Sequence, residues 1–272
     1  MKATEQWTRA LAAWAIPPRI LAAAPESPWG YLTHLFAHKA DTLPADPTPS
    51  ARRALEELPP GGSVLDVGCG AGAGALPLAA RAAALIGVDP SAEMLRAFYA
   101  RAEATGKAVT TIEGTWPAAA EDTPIADVVV CHHVIYNVAD LAPFLLRLTD
   151  HARRRVVLEM TLRHPMSDLN DLWLRFHGLI RPTTPTADDA VSVLNELGLA
   201  PGRSDWMAPP LRWSGPTARQ DLVAWTRRRL CLPAERDAEI DAALAPRIRE
   251  GDGTVSLPLR PVVTLWWAGS AD

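Results

Sequence analysis

Hydrophobic and polar positions alternate regularly in the middle of the chain. Short apolar runs, each about as long as a β-strand, lie at residues 64–67, 85–89, 109–113, 127–131 and 155–160. The segments between them place apolar residues at helical spacing, and we predict helices at residues 74–83, 92–105 and 141–151. This alternation of strands and helices predicts an α/β fold, in which a mostly parallel sheet is covered by helices on both faces.

The segment before this core has a looser pattern. Trp7, Leu11 and Trp14 share one face of a short helix that ends before Pro17, and a proline-rich stretch follows. Long stretches of this kind within a compact domain are often lids or binding loops. We therefore predict that residues 1–50 form a lid.

The segment after the core adds further elements to a main domain that we place at residues 51–272. Helical spacing after the fifth strand predicts a helical cap insertion at residues 162–200. Two more strands are predicted, at residues 206–211 and 262–267. The second of these is rich in β-branched and aromatic residues, which favour strands.

Composition restricts the class of protein. The chain has 272 residues, of which 48% are hydrophobic and 21% charged, as is typical of a globular protein with a full core. The formal net charge of -4 gives no overall attraction for nucleic acid or an anionic membrane. Three cysteines without a CxxC pair argue against a disulfide framework or a zinc cluster. Since no stretch is typical of an export signal or a membrane span, we expect a cytoplasmic protein.

A glycine-rich turn directly follows the first predicted strand. Gly68, Gly70 and Gly72 allow the backbone to turn tightly and to approach a ligand closely. The N–H groups that follow favour a negative group such as a carboxylate. Asp66, just before the turn, is suited to a cationic amine, and Asp89 at the end of the second strand can accept hydrogen bonds from both ribose hydroxyls. A ligand that combines an amino-acid end, a ribose and an adenine is S-adenosylmethionine (SAM).

Four segments resemble, in order and spacing, the motifs of class I SAM-dependent methyltransferases. They are residues 64–72 (VLDVGCGAG), 86–95 (IGVDPSAEML), 113–116 (EGTW) and 127–136 (DVVVCHHVIY). The resemblance extends over roughly residues 60–160 and is much more specific than a lone glycine motif. It implies a doubly wound, mostly parallel, seven-stranded Rossmann-like sheet with an antiparallel last strand.

The resemblance also implies a cofactor site, with SAM as methyl donor and S-adenosylhomocysteine (SAH) as product. A threonine at position 115 replaces the acid that the family usually has near the adenine. The implied cofactor-binding residues are Asp66, Gly68, Cys69, Gly70, Gly72, Asp89, Pro90, Met94, Gly114, Thr115, Trp116 and His132.

The residues after the fourth strand are candidates for catalysis, because ligands bind at the carboxyl ends of strands in such sheets. His132 and His133 are candidate general bases, and Tyr136 is a third candidate. The alternative is that these side chains pack on the cofactor or bond to the backbone. Candidate substrate-binding residues, which packing of core or lid would equally explain, are Trp29, Tyr31, Asn137, Glu159, Trp173 and His177. We predict no metal site, since His34 and His38 have no obvious third ligand.

These observations predict methyl transfer to an O, N or C nucleophile of a small molecule. One alternative is a domain that binds SAM or SAH without catalysis. Another is a nicotinamide-dependent oxidoreductase, because residues 70–75 match a loose G-x-G-x-x-G/A pattern. Asp66 disfavours it, since an acid before the turn would repel a pyrophosphate. Arginine triplets at 153–155 and 227–229 are a weak argument for RNA methylation in an acidic protein. The additional helices could also serve a homodimer.

Overall fold

A seven-stranded sheet forms the centre of the molecule. The computed structural model of the protein describes residues 1–29, 46–209, 212–251 and 253–272. The sheet has the order β3-β2-β1-β4-β5-β10-β6. Its strands are β1 Gly62–Val67, β2 Ala82–Asp89, β3 Ala108–Glu113, β4 Ala126–His132, β5 Ala152–Thr161, β6 Gly202–Ala208 and β10 Arg260–Ala268. The first five are parallel, whereas β10 runs antiparallel to both β5 and β6. The predicted fold class is therefore confirmed.

Helices lie along both faces of this sheet and beyond its edge. The α-helices are α1 Ala3–Ala12, α2 Pro18–Ala23, α3 Pro49–Glu57, α4 Ala92–Glu103, α5 Leu141–Asp150, α6 Asn170–His177, α7 Ala187–Glu196, α8 Ala218–Arg229 and α9 Asp237–Leu244. Successive strand side chains point to opposite faces. In β1, Leu65 and Val67 accordingly join the apolar cluster of α5 and α7, while Val64 joins that of α3 and α4. Within the described ranges, no helix has both the length and the apolar character needed to cross a membrane.

A separate apolar cluster lies outside the sheet, in a region that we call the second core. Residues 212–256, between β6 and β10, supply most of it. They include α8, α9 and a small sheet of order β7-β9-β8, with β7 Arg212–Ser214, β8 Arg249–Gly251 and β9 Thr254–Ser256. Leu222 and Ile240 of this region pack with Ile20 of α2 and Leu172 of α6. The second core therefore joins the N-terminal segment to the part of the chain after β5.

The predicted cap insertion at residues 162–200 is divided between the two regions. Helix α6 belongs to the second core. Helix α7 instead packs on the main sheet, where Val193 and Leu194 are fully buried. The second half of this segment is thus an ordinary sheet-covering helix, because its apolar face meets the main core.

The N-terminal segment is tied to the loops at the carboxyl edge of the sheet. Trp7 of α1 is fully buried in the main core, and its Nε1 donates to the Val138 carbonyl at 2.8 Å. The guanidinium of Arg181 donates to the Ala15 carbonyl at 3.0 Å, and lies over the Trp14 ring at 5.3 Å. The described part of the predicted lid is thereby anchored at several points.

The second arginine triplet contacts the N-terminal segment. Nε of Arg228 donates to the Ser27 carbonyl at 2.6 Å, and Arg229 donates to the Pro28 carbonyl at 2.5 Å. Arg227 forms an ion pair with Asp237 at 2.8 Å. These side chains therefore have intramolecular partners.

The predicted helix at residues 74–83 is wrong. Only a 3₁₀ turn at Leu76–Leu78 forms, and β2 already begins at Ala82, which pairs with Gly62. Pro77 has no N–H to donate to a helix. Pro77 within the stretch and the start of β2 at Ala82 therefore confine it to turns, despite the helical propensity of its alanines.

Candidate active site

The glycine-rich turn leaves β1 at the carboxyl edge of the sheet. Gly68, Gly70 and Gly72 have φ angles of 71°, 50° and 99°, in the region that favours glycine. A Cβ on Gly68 would lie 2.3 Å from Cγ2 of Val134, so the turn packs closely against the loop after β4. A Cβ on Gly70 would have no described heavy atom within 4 Å. The turn is thus open at Gly70, where a ligand can approach the backbone.

Asp89 is held in place beside this turn by two backbone groups. Its Oδ2 accepts the N–H of Gly70 at 2.9 Å, and its Oδ1 accepts the N–H of Ser91 at 2.9 Å. Each carboxylate oxygen can accept a further hydrogen bond. Asp89 therefore retains acceptor capacity for the two hydroxyls of a ribose.

Asp66 is a buried carboxyl group beneath the turn. It is 1% exposed, and its Oδ2 accepts the N–H of Ala75 at 3.0 Å. Burial raises the pKa of Asp66 to about 7; the Ala75 hydrogen bond opposes this, and the charge of Asp89 adds to it. A Cβ on Gly74 would lie 2.8 Å from Oδ2, so a glycine there leaves room for the carboxyl group. A neighbouring cation would favour its ionised form.

The chemistry of this cluster fits SAM. Asp89 lies beside the turn and Asp66 is buried beneath it, and the two carboxyl groups favour a positively charged ligand over a pyrophosphate. SAM carries an ammonium, a sulfonium and a ribose. Asp66 would accept the ammonium, Asp89 the ribose hydroxyls, and the open backbone at Gly70 would lie along the ligand.

The end of β3 meets the end of β2 next to this site. The N–H of Gly114 donates to the Asp89 carbonyl at 3.1 Å, and Thr115 is exposed at this edge. Trp116, in contrast, points into the main core, where its Nε1 donates to the Phe144 carbonyl at 3.2 Å. Its ring is thus held away from the edge, which contradicts its predicted contact with the adenine.

The remaining predicted cofactor residues differ in their exposure and in the groups that they can offer to a ligand. Pro90 is exposed, and Met94 is buried at the start of α4, where its N–H donates to the Ser91 hydroxyl at 3.3 Å. Cys69 directs its thiol into the core, and burial raises the pKa of that thiol. Cys69 can therefore offer a ligand only its backbone.

A histidine–carboxylate pair lies at the ends of β4 and β5. Nε2 of His133 is 2.9 Å from Oε1 of Glu159, and the N–H of His133 donates to the Glu159 carbonyl at 2.7 Å. Glu159 is buried, whereas the His133 side chain is 23% exposed. His132, half-buried, pairs in register with Glu159. The structure thus joins two residues that the sequence suggested separately for catalysis and substrate binding.

The geometry of this pair determines the state of the imidazole. A carboxylate at Nε2 keeps the proton of the neutral ring on Nε2, so Nδ1 is the basic nitrogen. His133 has a φ of 61°, a left-handed conformation that is rare outside glycine. Such conformations persist where the surroundings fix them, and they are frequent at functional sites.

Tyr136 is a structural residue, contrary to the prediction of a catalytic role. It is 5% exposed, and its hydroxyl donates to the Thr161 carbonyl at 2.8 Å. Its ring stacks on Trp7 with the centroids 5.9 Å apart. Burial raises the pKa of the Tyr136 phenol above its ordinary value, so Tyr136 is poorly suited to exchange a proton.

The predicted substrate residues do not form one site. Trp173 is 3% exposed in the second core, and His177 hydrogen-bonds through Nε2 to the Leu230 carbonyl at 2.7 Å, so both have structural contacts instead. Trp29 and Asn137 are exposed. Tyr31, like His34 and His38, lies outside the described residues. Among those described, no three metal-ligating side chains are grouped to hold an ion.

A cavity of about 240 Å³ lies next to the end of β5, and sequence reasoning missed it. It is lined by Thr161, Leu162, Arg163, His164, Pro165, Ser167, Asp168, Arg260 and Pro261. Since β10 is antiparallel to β5, Arg260 at its start lies beside the carboxyl end of β5. No local motif could have indicated this, because the two segments are about a hundred residues apart in sequence.

Comparison with known proteins agrees with this geometry. Residues 64–155 match the family model described as a methyltransferase domain. The chain carries a class I SAM-dependent methyltransferase domain. The predictions of the family and of SAM as its cofactor are thus confirmed, and the nicotinamide alternative is set aside.

Curated relatives share this methyltransferase domain. A ubiquinone biosynthesis O-methyltransferase of Rhizobium rhizogenes is 32% identical over 114 residues, which are 42% of this chain and 44% of the relative. One from Azorhizobium caulinodans is 36% identical over 84 residues, or 31% and 33% of the two chains. The chain spans less than half the length of these curated relatives.

Solved structures share the fold over more of the chain. The YcgJ protein of Bacillus subtilis has a TM-score of 0.52 at 19% identity and covers 87% of this chain and 98% of its own. Magnesium protoporphyrin IX methyltransferase from Synechocystis PCC 6803, with bound SAH, has a TM-score of 0.51 at 17% identity, covering 97% and 96%. At these identities the likeness shows the fold alone.

Proposed function

We propose that the protein transfers the methyl group of SAM to a hydroxyl oxygen of a small molecule. The pair of His133 and Glu159 carries this proposal, because a hydroxyl acceptor gains from a general base at this edge. The matched relatives are named as O-methyltransferases, which supports oxygen as the acceptor atom.

Different residues of the chain bind the reactants and transfer the proton. When bound, SAM supplies a methyl group on a positively charged sulfur, which is a good electrophile. The imidazole of His133 would take the hydroxyl proton, and the acceptor oxygen would receive the methyl group of SAM, which leaves as SAH. Glu159, at Nε2, stabilises the resulting imidazolium and fixes the ring orientation. Aligning donor and acceptor supplies the remaining rate enhancement.

The acceptor would be enclosed by segments that pack outside the sheet. We propose that the described N-terminal residues 1–29 and the second core act together as a cap. Their support is a set of hydrogen bonds: Trp7 donates to Val138 after β4, Trp14 donates to Thr184 after α6, and Arg181 after α6 donates to Ala15. This arrangement would exclude water from the transfer.

Calorimetric titration with SAM tests the cofactor site. Wild-type protein should bind SAM, and Asp89→Ala should bind it at least tenfold more weakly, because two ribose hydrogen bonds are lost. Equal affinity in the two proteins would contradict the proposed site.

SAH formation with a panel of catechols and phenols, measured by mass spectrometry, tests the transfer step. His133→Gln should lower kcat by about 10²–10⁴-fold while SAM affinity stays constant. Glu159→Gln should also lower kcat and shift its pH profile, whereas Glu121→Gln, at an exposed position, serves as the matched control. A kcat unchanged in His133→Gln would refute the role of this base. SAM binding without turnover of any acceptor would favour a non-catalytic binding domain.

A further inference from the structure

The cavity beside β5 contains an arginine with an unused donor. Arg260 opens β10, and its Nε is buried without a hydrogen-bond partner among the described residues. A guanidinium presents several N–H donors in a planar fork that matches a carboxylate. Leaving such a donor buried and unpaired is costly, so the group is well suited to a ligand that completes it.

The ionisable side chains that line the cavity leave it positive. The lining includes two arginines, Arg163 and Arg260, and one acid, Asp168; Glu159, which also acts on Arg260, lies outside the lining and pairs with His133. His164 also lines the cavity, and burial, aided by the charge of Arg181, lowers the pKa of His164 to about 4, so it is neutral near pH 7. Burial lowers the pKa of Arg260, while the charges of Asp168 and Glu159 oppose this shift. One negative charge would balance the lining.

The cavity adjoins the part of β5 that carries Glu159, the partner of the proposed base His133. Glu159, which pairs with His133, lies two residues before Thr161 of the cavity wall. The N–H of Leu162 donates to the Pro261 carbonyl at 3.0 Å, which fixes Arg260 next to the end of β5. The charge of Glu159 also acts on Arg260, so the two groups are near each other, and a small molecule bound at Arg260 would have its far end on the side of Glu159 and His133.

We propose that the methyl acceptor is a hydroxy acid whose carboxylate binds Arg260 in this cavity, while its hydroxyl group lies at His133; the position of the hydroxyl rests on the proposed function. A monoanion matches the excess charge of the lining. The volume of about 240 Å³ equals that of about eight water molecules in the liquid, which is enough for a single-ring acid.

Calorimetry on the protein–SAH complex tests this assignment without turnover. The probes are 3,4-dihydroxybenzoate and its neutral carboxamide. The acid should bind at least tenfold more tightly than the amide, as a charge-assisted hydrogen bond predicts. Arg260→Gln should abolish this preference, and Arg260→Lys should retain part of it. Arg153→Gln, which removes a positive charge at the opposite end of β5, should keep it in full.

The outcomes separate this proposal from the proposed function. Equal affinities for acid and amide in the wild type, no binding of either probe, or a preference that survives in Arg260→Gln would each overturn the carboxylate site. The comparison of acid and amide affinities in the wild-type protein tests the carboxylate site even if Arg260→Gln does not fold. Acid binding that depends on Arg260, without methyl transfer to any acceptor, would instead leave the carboxylate site standing and refute the transfer.

Discussion

The charge state of Asp66 predicts how the binding of the cofactor depends on pH. In the free protein, burial raises the pKa of Asp66 to about 7, so the carboxyl group is about half protonated at pH 7 and about nine-tenths protonated at pH 6. An ammonium placed beside it by SAM favours the ionised form. Binding should therefore release a proton from Asp66.

The magnitude follows from that pKa. At pH 6 binding should release about 0.9 proton, and at pH 7 about 0.5. Since only the ionised form pairs with the ammonium, the apparent affinity should fall by about fivefold from pH 7 to pH 6. The α-amino group of the ligand, with an ordinary pKa of about 7.7–8.0, stays mostly protonated over this range.

Calorimetry in buffers of different ionisation enthalpy measures the released proton directly. The matched variant is Asp66→Asn, whose amide oxygen can still accept the Ala75 N–H. It should bind SAM about 10- to 100-fold more weakly and should lose both the proton release and the pH dependence. A binding enthalpy independent of the buffer at pH 6, or equal proton release in Asp66→Asn, would refute the reasoning.

Two further predictions concern stability. Gly68→Ala should lower the free energy of unfolding by about 2–4 kcal/mol in urea titrations, because its φ is 71° and its Cβ would lie 2.3 Å from Val134. Gly70→Ala, with open space around its Cβ, should lower it by only about 1 kcal/mol. Equal losses in the two variants would contradict this contrast. Tyr136→Phe should cost about 1–2 kcal/mol by removing the hydrogen bond to Thr161 and leave kcat within about twofold, whereas a hundredfold loss of kcat would restore Tyr136 as a catalytic residue.

The strands of the parallel core are predictable because their patterns are local. The apolar runs that become β1, β2 and β4 have few alternatives, since each is too short for a helix and is bounded by turn residues. The helix predicted at 74–83 fails for the opposite reason. Its alanine-rich pattern is typical of a helix, but the glycine turn before it and the pairing of Ala82 with Gly62 after it leave room for only a 3₁₀ turn.

The second core and the cavity could not be predicted, because both depend on contacts between distant segments. Ile20 and Leu222 become neighbours only after the chain has folded. The same holds for Arg260, whose role depends on β10 lying against β5. Asp66 and Asp89 were found because the motif places both at adjacent strand ends.

Opposite charges occupy the two halves of the candidate active site, and this separation supports both proposals together. Asp66 and Asp89 make the cofactor half acidic, whereas the arginines of the cavity make the other half basic. The proposed transfer would move positive charge from the sulfonium to the imidazolium of His133, which lies 2.9 Å from the Glu159 carboxylate. Excluding water strengthens the attraction between that carboxylate and the imidazolium, because charges interact more strongly in a medium of low dielectric constant. A site that first attracts a cationic donor and an anionic acceptor, and then encloses them, brings the two reactants together in that setting.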